Sequence, residues 1–126
     1  MRLSKENAPG VTLIDAYDRA SVSVAGKVCA EPVLIGPSVG VLPWAARGFD
    51  VLNAEDFLPV IELRPAVVLI GTGARQRFPA PAVLRHLIEA RIGFEVMDTG
   101  SACRTYNLLA AEGRAVVAAL LVGESM

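Results

Sequence analysis

The feature that most constrains this chain is a pair of apolar runs without polar alternation, Val67-Val68-Leu69-Ile70 and Ala115 to Val122. A strand with one wet face alternates apolar and polar side chains, so unbroken runs mark strands buried on both faces. The longer run, Ala115 to Val122, is placed at the centre of a sheet. From Ala66 onward the chain reads β-α-β-α-β. Pro81 suits a first helical position, and Val83, Leu84, Leu87 and Ile88 then form one apolar stripe at helical spacing. Arg85 and Glu89 sit four apart on the outer face, and Gly93 is read as the C-cap residue. Phe94-Glu95-Val96-Met97 is the next strand. Thr99 or Ser101 is the expected cap of a second helix, with Ala102, Tyr106, Leu109 and Gly113 on one side. Cys103, Arg104 and Asn107 adjoin on another side, and Glu112-Gly113-Arg114 breaks the helix. Such alternation implies a sheet covered by helices on its faces.

The first half is β-rich. Val22 and Val24 alternate with Ser21 and Ser23, and Gly26-Lys27 is read as a hairpin turn into Val28-Cys29-Ala30. Val33-Leu34-Ile35 is closed by Gly36-Pro37-Ser38, and Val41-Leu42 follows. These strands either extend the central sheet or pack as a second small layer. Trp44 to Phe49 is ambiguous, with a helical turn as one reading. Asn53 is a plausible N-cap, with the Asp56 carboxylate able to reach back to its backbone. A short helix then runs from Ala54 to about Leu63, made irregular by Pro59 and ended by Arg64-Pro65. Residues 1–10 read as a flexible tail and 11–126 as one α/β domain.

Composition excludes several classes. The chain has 12 basic and 13 acidic residues and a formal net charge of −1, without the basic excess that phosphate contacts demand, so no nucleic-acid partner is expected. The longest apolar runs fall far short of the roughly 20 residues of a spanning helix. Met1 to Gly10 has no apolar core of the kind a secretory signal carries. Cys29 and Cys103 are 74 positions apart and make no metal-type spacing. A reducing compartment, the cytoplasm, is the expectation, with no disulfide and no cofactor.

Two strand-to-turn junctions carry the candidate chemistry. Gly71-Thr72-Gly73 follows a strand as a phosphate loop would. The dinucleotide fingerprint needs a third glycine opening the next helix at once, and Ala74 to Pro79 intervenes here. A tight turn requiring positive φ is the favoured reading, with anion binding by Arg75, Arg77 and loop amides as the alternative. At the second junction, Asp98 ends a strand on the rim where α/β folds bind ligands. It is a candidate base, but capping with Thr99 or pairing with Arg104 is the commoner role. Cys103 lies in the first helical turn, where the helix dipole and Arg104 would lower a thiol pKa. The one histidine, His86, is placed mid-helix facing solvent, so no Cys-His pair can be argued and a half-buried structural thiol is favoured. Asn107 among apolar residues needs hydrogen-bond partners, and is expected to tie the Asp98-Thr99 turn or the Gly71 loop. Tyr106 is expected to fill core with its hydroxyl satisfied at an edge. Neither a metal site nor a Ser-His-Asp arrangement finds support.

A family resemblance rests on Leu69 to Gly73, Arg77-Phe78-Pro79, Gly93 to Thr99, the run Ala102-Cys103-Arg104-Thr105-Tyr106-Asn107-Leu108-Leu109, Glu112-Gly113-Arg114 and Ala118-Ala119-Leu120. It extends upstream through Gly36-Pro37-Ser38 and Trp44. These residues resemble the family called domain of unknown function 498, whose eukaryotic branch is similar to assembly factors of mitochondrial complex I. The resemblance implies a three-layer α/β fold with a mixed central sheet and an accessory β layer. It also implies a non-catalytic binding or assembly role, with respiratory complex subunits as partners and a homo-oligomer as a further possibility. The competing reading is a small-molecule or anion-binding protein, or an enzyme. Its pocket would join Gly71, Thr72, Gly73, Arg75, Asp98, Thr99, Cys103, Arg104, Tyr106 and Asn107. That reading requires these side chains to converge, with Arg104 and Asn107 facing one site.

Overall fold

A computed structural model describes residue 3 and residues 10–123. The expected tail, 1–10, lies almost wholly outside those residues. Within it, the Leu3 amide donates to the Asp15 carbonyl at 2.9 Å.

The central sheet is five-stranded and mixed. It contains β4 (Val33–Gly36), β5 (Gly40–Pro43), β6 (Val67–Gly71), β7 (Gly93–Met97) and β8 (Val116–Leu120), in the order β5-β4-β8-β6-β7. Strand β8 is buried at every position. It pairs antiparallel with β4 and parallel with β6, which pairs parallel with β7. Its pleat divides the core in two. Val116, Ala118 and Leu120 pack with α3 (Thr99–Ala111), whereas Val117, Ala119 and Leu121 pack with Trp44, Phe57, Leu84 and Leu87 on the other face. Unbroken apolar character is what a strand with two covered faces needs.

Both alternatives for the N-terminal strands are realised. Strands β4 and β5 extend the central sheet, while β1 (Ala16–Tyr17), β2 (Val22–Val24) and β3 (Lys27–Cys29) form a separate antiparallel sheet. Val22, Val24 and Cys29 from that sheet join α3 in one core cluster. The β2–β3 turn falls one residue earlier than expected. Val24 pairs with Lys27, so Ala25 and Gly26 are the loop residues, at φ 52° and 80°. A two-residue turn with positive φ at both positions matches the twist of the flanking strands. Alanine bears a Cβ penalty there, and that conceals the turn in the sequence.

The opposite layer is built from short pieces. The Asn53 amide donates to the Asp56 carboxylate at 3.0 Å, the reach-back expected from the spacing. A 3-10 turn over Ala54–Phe57 then passes into α1 (Leu58–Glu62), with Pro59 in its first turn. No helical turn forms over 44–48; a 3-10 turn occupies Phe49–Val51 instead. Pro81 opens a 3-10 turn, Pro81–Leu84, that continues as α2 (Arg85–Glu89). Leu84 and Leu87 are buried, but Ile88 is 54% exposed and leaves the expected stripe, because two short turns present a narrow face. Gly93 is the first strand residue rather than a cap; the left-handed residue after α2 is Arg91.

Helix α3 is the long one. Its N-cap is Asp98, not Thr99 or Ser101, and Gly113 at φ 84° terminates it while the Arg114 amide bonds the Leu109 carbonyl. Its buried stripe is Ala102, Cys103, Tyr106, Asn107 and Ala110. Cys103 and Asn107 therefore share a face with Ala102 and Tyr106, while Arg104 points outward, because residues four apart lie on one side. Among the described residues no helix is long and apolar enough to cross a membrane.

Ala25→Asn should relieve the left-handed strain and stabilise the protein by about 1 kcal/mol. Urea denaturation measures this, and an unchanged or lowered midpoint would contradict the turn assignment.

Candidate functional site

Strands β6, β7 and β8 run parallel, so Gly71-Thr72-Gly73, Asp98 and Leu121 to Gly123 all leave the sheet at one edge. Thr99 welds these ends. Its hydroxyl donates to the Leu121 carbonyl at 2.9 Å and accepts from the Gly73 amide at 2.8 Å, while its own amide donates to the Gly73 carbonyl at 2.8 Å. Gly71 is there for clearance. A Cβ at Gly71 would lie 2.9 Å from Leu120 Cδ2 and 3.1 Å from Thr99 Cα, so a side chain would push α3 off the sheet. Gly73 supplies the positive φ, 99°, that a tight turn needs.

The loop beyond is closed on itself. The Thr72 hydroxyl donates to the Arg75 carbonyl at 2.7 Å and accepts from the Arg77 amide at 3.1 Å. An Arg77 guanidinium nitrogen donates to the Thr72 carbonyl at 2.9 Å. The amides of Gly73 and Arg77 thus bond protein oxygens, and the Arg75 side chain is exposed.

Asp98 accepts the Ser101 amide and hydroxyl, each at 2.8 Å. Burial would raise its carboxyl, but those two bonds and nearby Arg104 outweigh it and hold the group below its ordinary value. Arg104 donates to the Tyr17 hydroxyl and to Ser101 Oγ, with its guanidinium 5.7 Å from the Tyr17 ring centre. Gly100 makes room for that ring, since a Cβ there would meet Tyr17 Cε1 at 2.7 Å.

Tyr106 and Asn107 turn the other way. The Tyr106 hydroxyl donates to the Thr12 carbonyl at 2.7 Å, meeting the expectation of a core tyrosine satisfied at an edge. Asn107 binds neither the Asp98-Thr99 turn nor the Gly71 loop. Its Oδ1 accepts the Ile14 amide and its Nδ2 donates to the Ile14 carbonyl, both at 2.8 Å. The amide side chain satisfies a whole peptide segment as a neighbouring strand would. Arg104, Tyr106 and Asn107 together clasp residues 12–17 to α3.

Cys103 is fully buried rather than half-buried, and burial pushes its thiol up to about 12 against the opposing pull of Arg104. Depth outweighs the helix terminus here. His86 lies on α2 across the central sheet. It is half-buried rather than solvent-facing, with Nε2 3.7 Å from Glu55 and Nδ1 3.8 Å from Glu89. Arg85 bonds Glu55 at 3.1 Å.

A cleft of about 370 Å³ opens at the strand ends. Of the ten candidate residues, Gly73, Asp98 and Thr99 line it. Gly71 and Thr72 are buried and, like Arg75 and Arg104, lie outside its lining; Arg104 contacts the lining ring of Tyr17. Cys103, Tyr106 and Asn107 belong to the core, so Arg104 and Asn107 serve different surroundings. Sequence reasoning missed Tyr17, Asp18 and Arg19, which form the opposite wall. They arrive from the small sheet about 80 positions away, with no local signal except the Asp18 turn, whose carboxylate caps the amides of Ala20 and Ser21.

Residues 14–121 match the family described as protein of unknown function (DUF498/DUF598). The chain belongs to this family. It is 33% identical over 121 residues to the NADH dehydrogenase [ubiquinone] 1 alpha subcomplex assembly factor 3 of Bos taurus, covering 94% of this chain and 65% of that protein. The chain therefore spans about 65% of the length of that relative. A crystal structure of a Bordetella parapertussis protein is similar, with a TM-score of 0.84 and 34% identity over 91% of this chain and 98% of that one. A solution structure of a Xanthomonas campestris protein has a TM-score of 0.80 and 34% identity, covering 100% and 97%. The chain shares its mixed α/β architecture with these solved structures.

Asn107→Ala would leave the Ile14 amide and carbonyl buried without partners and should cost about 3 kcal/mol. Chemical denaturation together with hydrogen exchange at the Ile14 amide checks this. A loss of only about 0.5 kcal/mol, as at an ordinary surface site, would rule the clasp out.

Proposed function

We propose that this chain is a non-catalytic binding and assembly module for subunits of respiratory complex I, acting from the cytoplasm as one α/β domain. The observation that carries the reading is where the polar residues of the signature helix spend their bonds. Arg104, Tyr106 and Asn107 hold Tyr17, Thr12 and Ile14, and Asp98 caps α3 through Ser101. A nucleophile needs a base within hydrogen-bond reach. Cys103 and His86 pack on opposite faces of the central sheet. The assembly-factor relatives supply the partner class. An affinity-tagged chain purified from its native host should recover complex I subunits. Repeated recovery of none would sink this reading.

The second reading is small-molecule or anion binding in the cleft at the strand ends. It is favoured by one observation, the meeting of Gly73, Asp98 and Thr99 with Tyr17 and Arg19 around a space of about 370 Å³. Phosphate, sulfate and small carboxylates are the probes. On this reading one of them raises the melting temperature of the protein and has no effect on the Arg19→Ala variant. A flat response to all of them would exclude it.

A further inference from the structure

Two loops, of which only Gly73 and Ala74 belong to the cleft, meet on the protein surface. One is 44–51, which follows β5; the other is 72–80, which follows β6. The Arg77 guanidinium stacks on the Phe49 ring at 4.4 Å and joins them. Both loops are anchored from beneath. Trp44 is buried, and its indole N–H donates to the Asp56 carbonyl at 2.7 Å. The Gln76 amide donates to the Val96 carbonyl at 2.8 Å, and Pro79 is buried. Beside these anchors, Phe78 is 72% exposed and Val51 is 61% exposed. Arg47 and Arg75 are exposed, and no described carboxylate pairs with either. The two loops carry two net positive charges (Arg47, Arg75 and Arg77 against Asp50) on a chain whose net charge is −1.

We propose that this surface docks a protein partner that presents an apolar pocket for Phe78, rimmed by carboxylates facing Arg47 and Arg75. It rests on the assembly-module reading and names that partner's chemistry. Interface anchors are enriched in aromatic residues and arginine, and these two loops carry an exposed aromatic together with exposed arginines. Sites that hold anionic bilayers gather about 4–8 Lys or Arg. Three arginines, one of them committed to Phe49 and Thr72, make a weak membrane contact beside an acid. Charge complementarity therefore favours an acidic protein surface.

The test uses the full chain in its native host, with photoreactive p-benzoylphenylalanine in place of Phe78 or, as an exposed control on α2, of Ile88. Position 78 should crosslink to one protein at a site flanked by Asp and Glu, well above the yield at position 88. Arg47→Glu with Arg75→Glu should cut that yield by about tenfold, and the corresponding lysine pair should retain it. Melting curves of these surface variants should match that of the parent. Equal yields at 78 and 88, crosslinks only to lipid or to a second copy, or indifference to the charge reversal would each overturn the proposal. Recovery of complex I subunits by the tagged chain without a crosslink at 78 overturns the docking surface alone. A crosslink to an acidic site on a protein outside complex I leaves the surface standing and removes the complex I assignment.

Discussion

Burial of β8 on both faces is the constraint on which the rest of the structure depends. Val116, Val117 and Leu120 are almost wholly removed from water, and each such side chain is worth roughly 1.5–3 kcal/mol. A single hydrogen bond contributes a net of about 1 kcal/mol. Apolar burial therefore dominates, and it demands cover on both sides of the sheet. Helix α3 and the small β1–β3 sheet supply one cover; the short turns and helices around Phe57, Leu84 and Leu87 supply the other.

The same division explains why the two groups that look most reactive never meet. Cys103 and His86 belong to different covers, separated by a sheet whose interior they cannot cross. The thiol is pushed away from its reactive form by depth, with Arg104 opposing that effect and Asp98 adding to it. Two opposing electrostatic influences are settled here by desolvation.

Helix α3 has two jobs along one stripe. Ala102, Cys103 and Ala110 fill core, and Tyr106 and Asn107 close the gap to a segment that lacks a strand partner at that point. The clasp also sets the cleft, since Tyr17 is both the partner of Arg104 and a wall of the opening. Structure and any ligand site at this edge are coupled through one aromatic ring, with Gly100 beneath it.

Much of the fold is legible in the sequence because its signals are local. Apolar runs mark β6 and β8, the Asn53–Asp56 spacing marks a capped turn, and Gly113 marks a helix end. The alanine in the Ala25-Gly26 turn and the exposed Ile88 escape that reading. In the first case the backbone conformation contradicts residue preference; in the second, two short turns replace a regular helix. The candidate site is only partly legible. Gly73, Asp98 and Thr99 are found from their positions at strand ends, whereas Tyr17, Asp18 and Arg19 come from another layer. Asn107 shows the limit most plainly. By itself the sequence determines that a buried amide at this helical position must find partners, because an unpaired one is costly. Only the tertiary structure decides that the partner is Ile14, 93 positions away, because layer packing chooses which backbone lies over the helix.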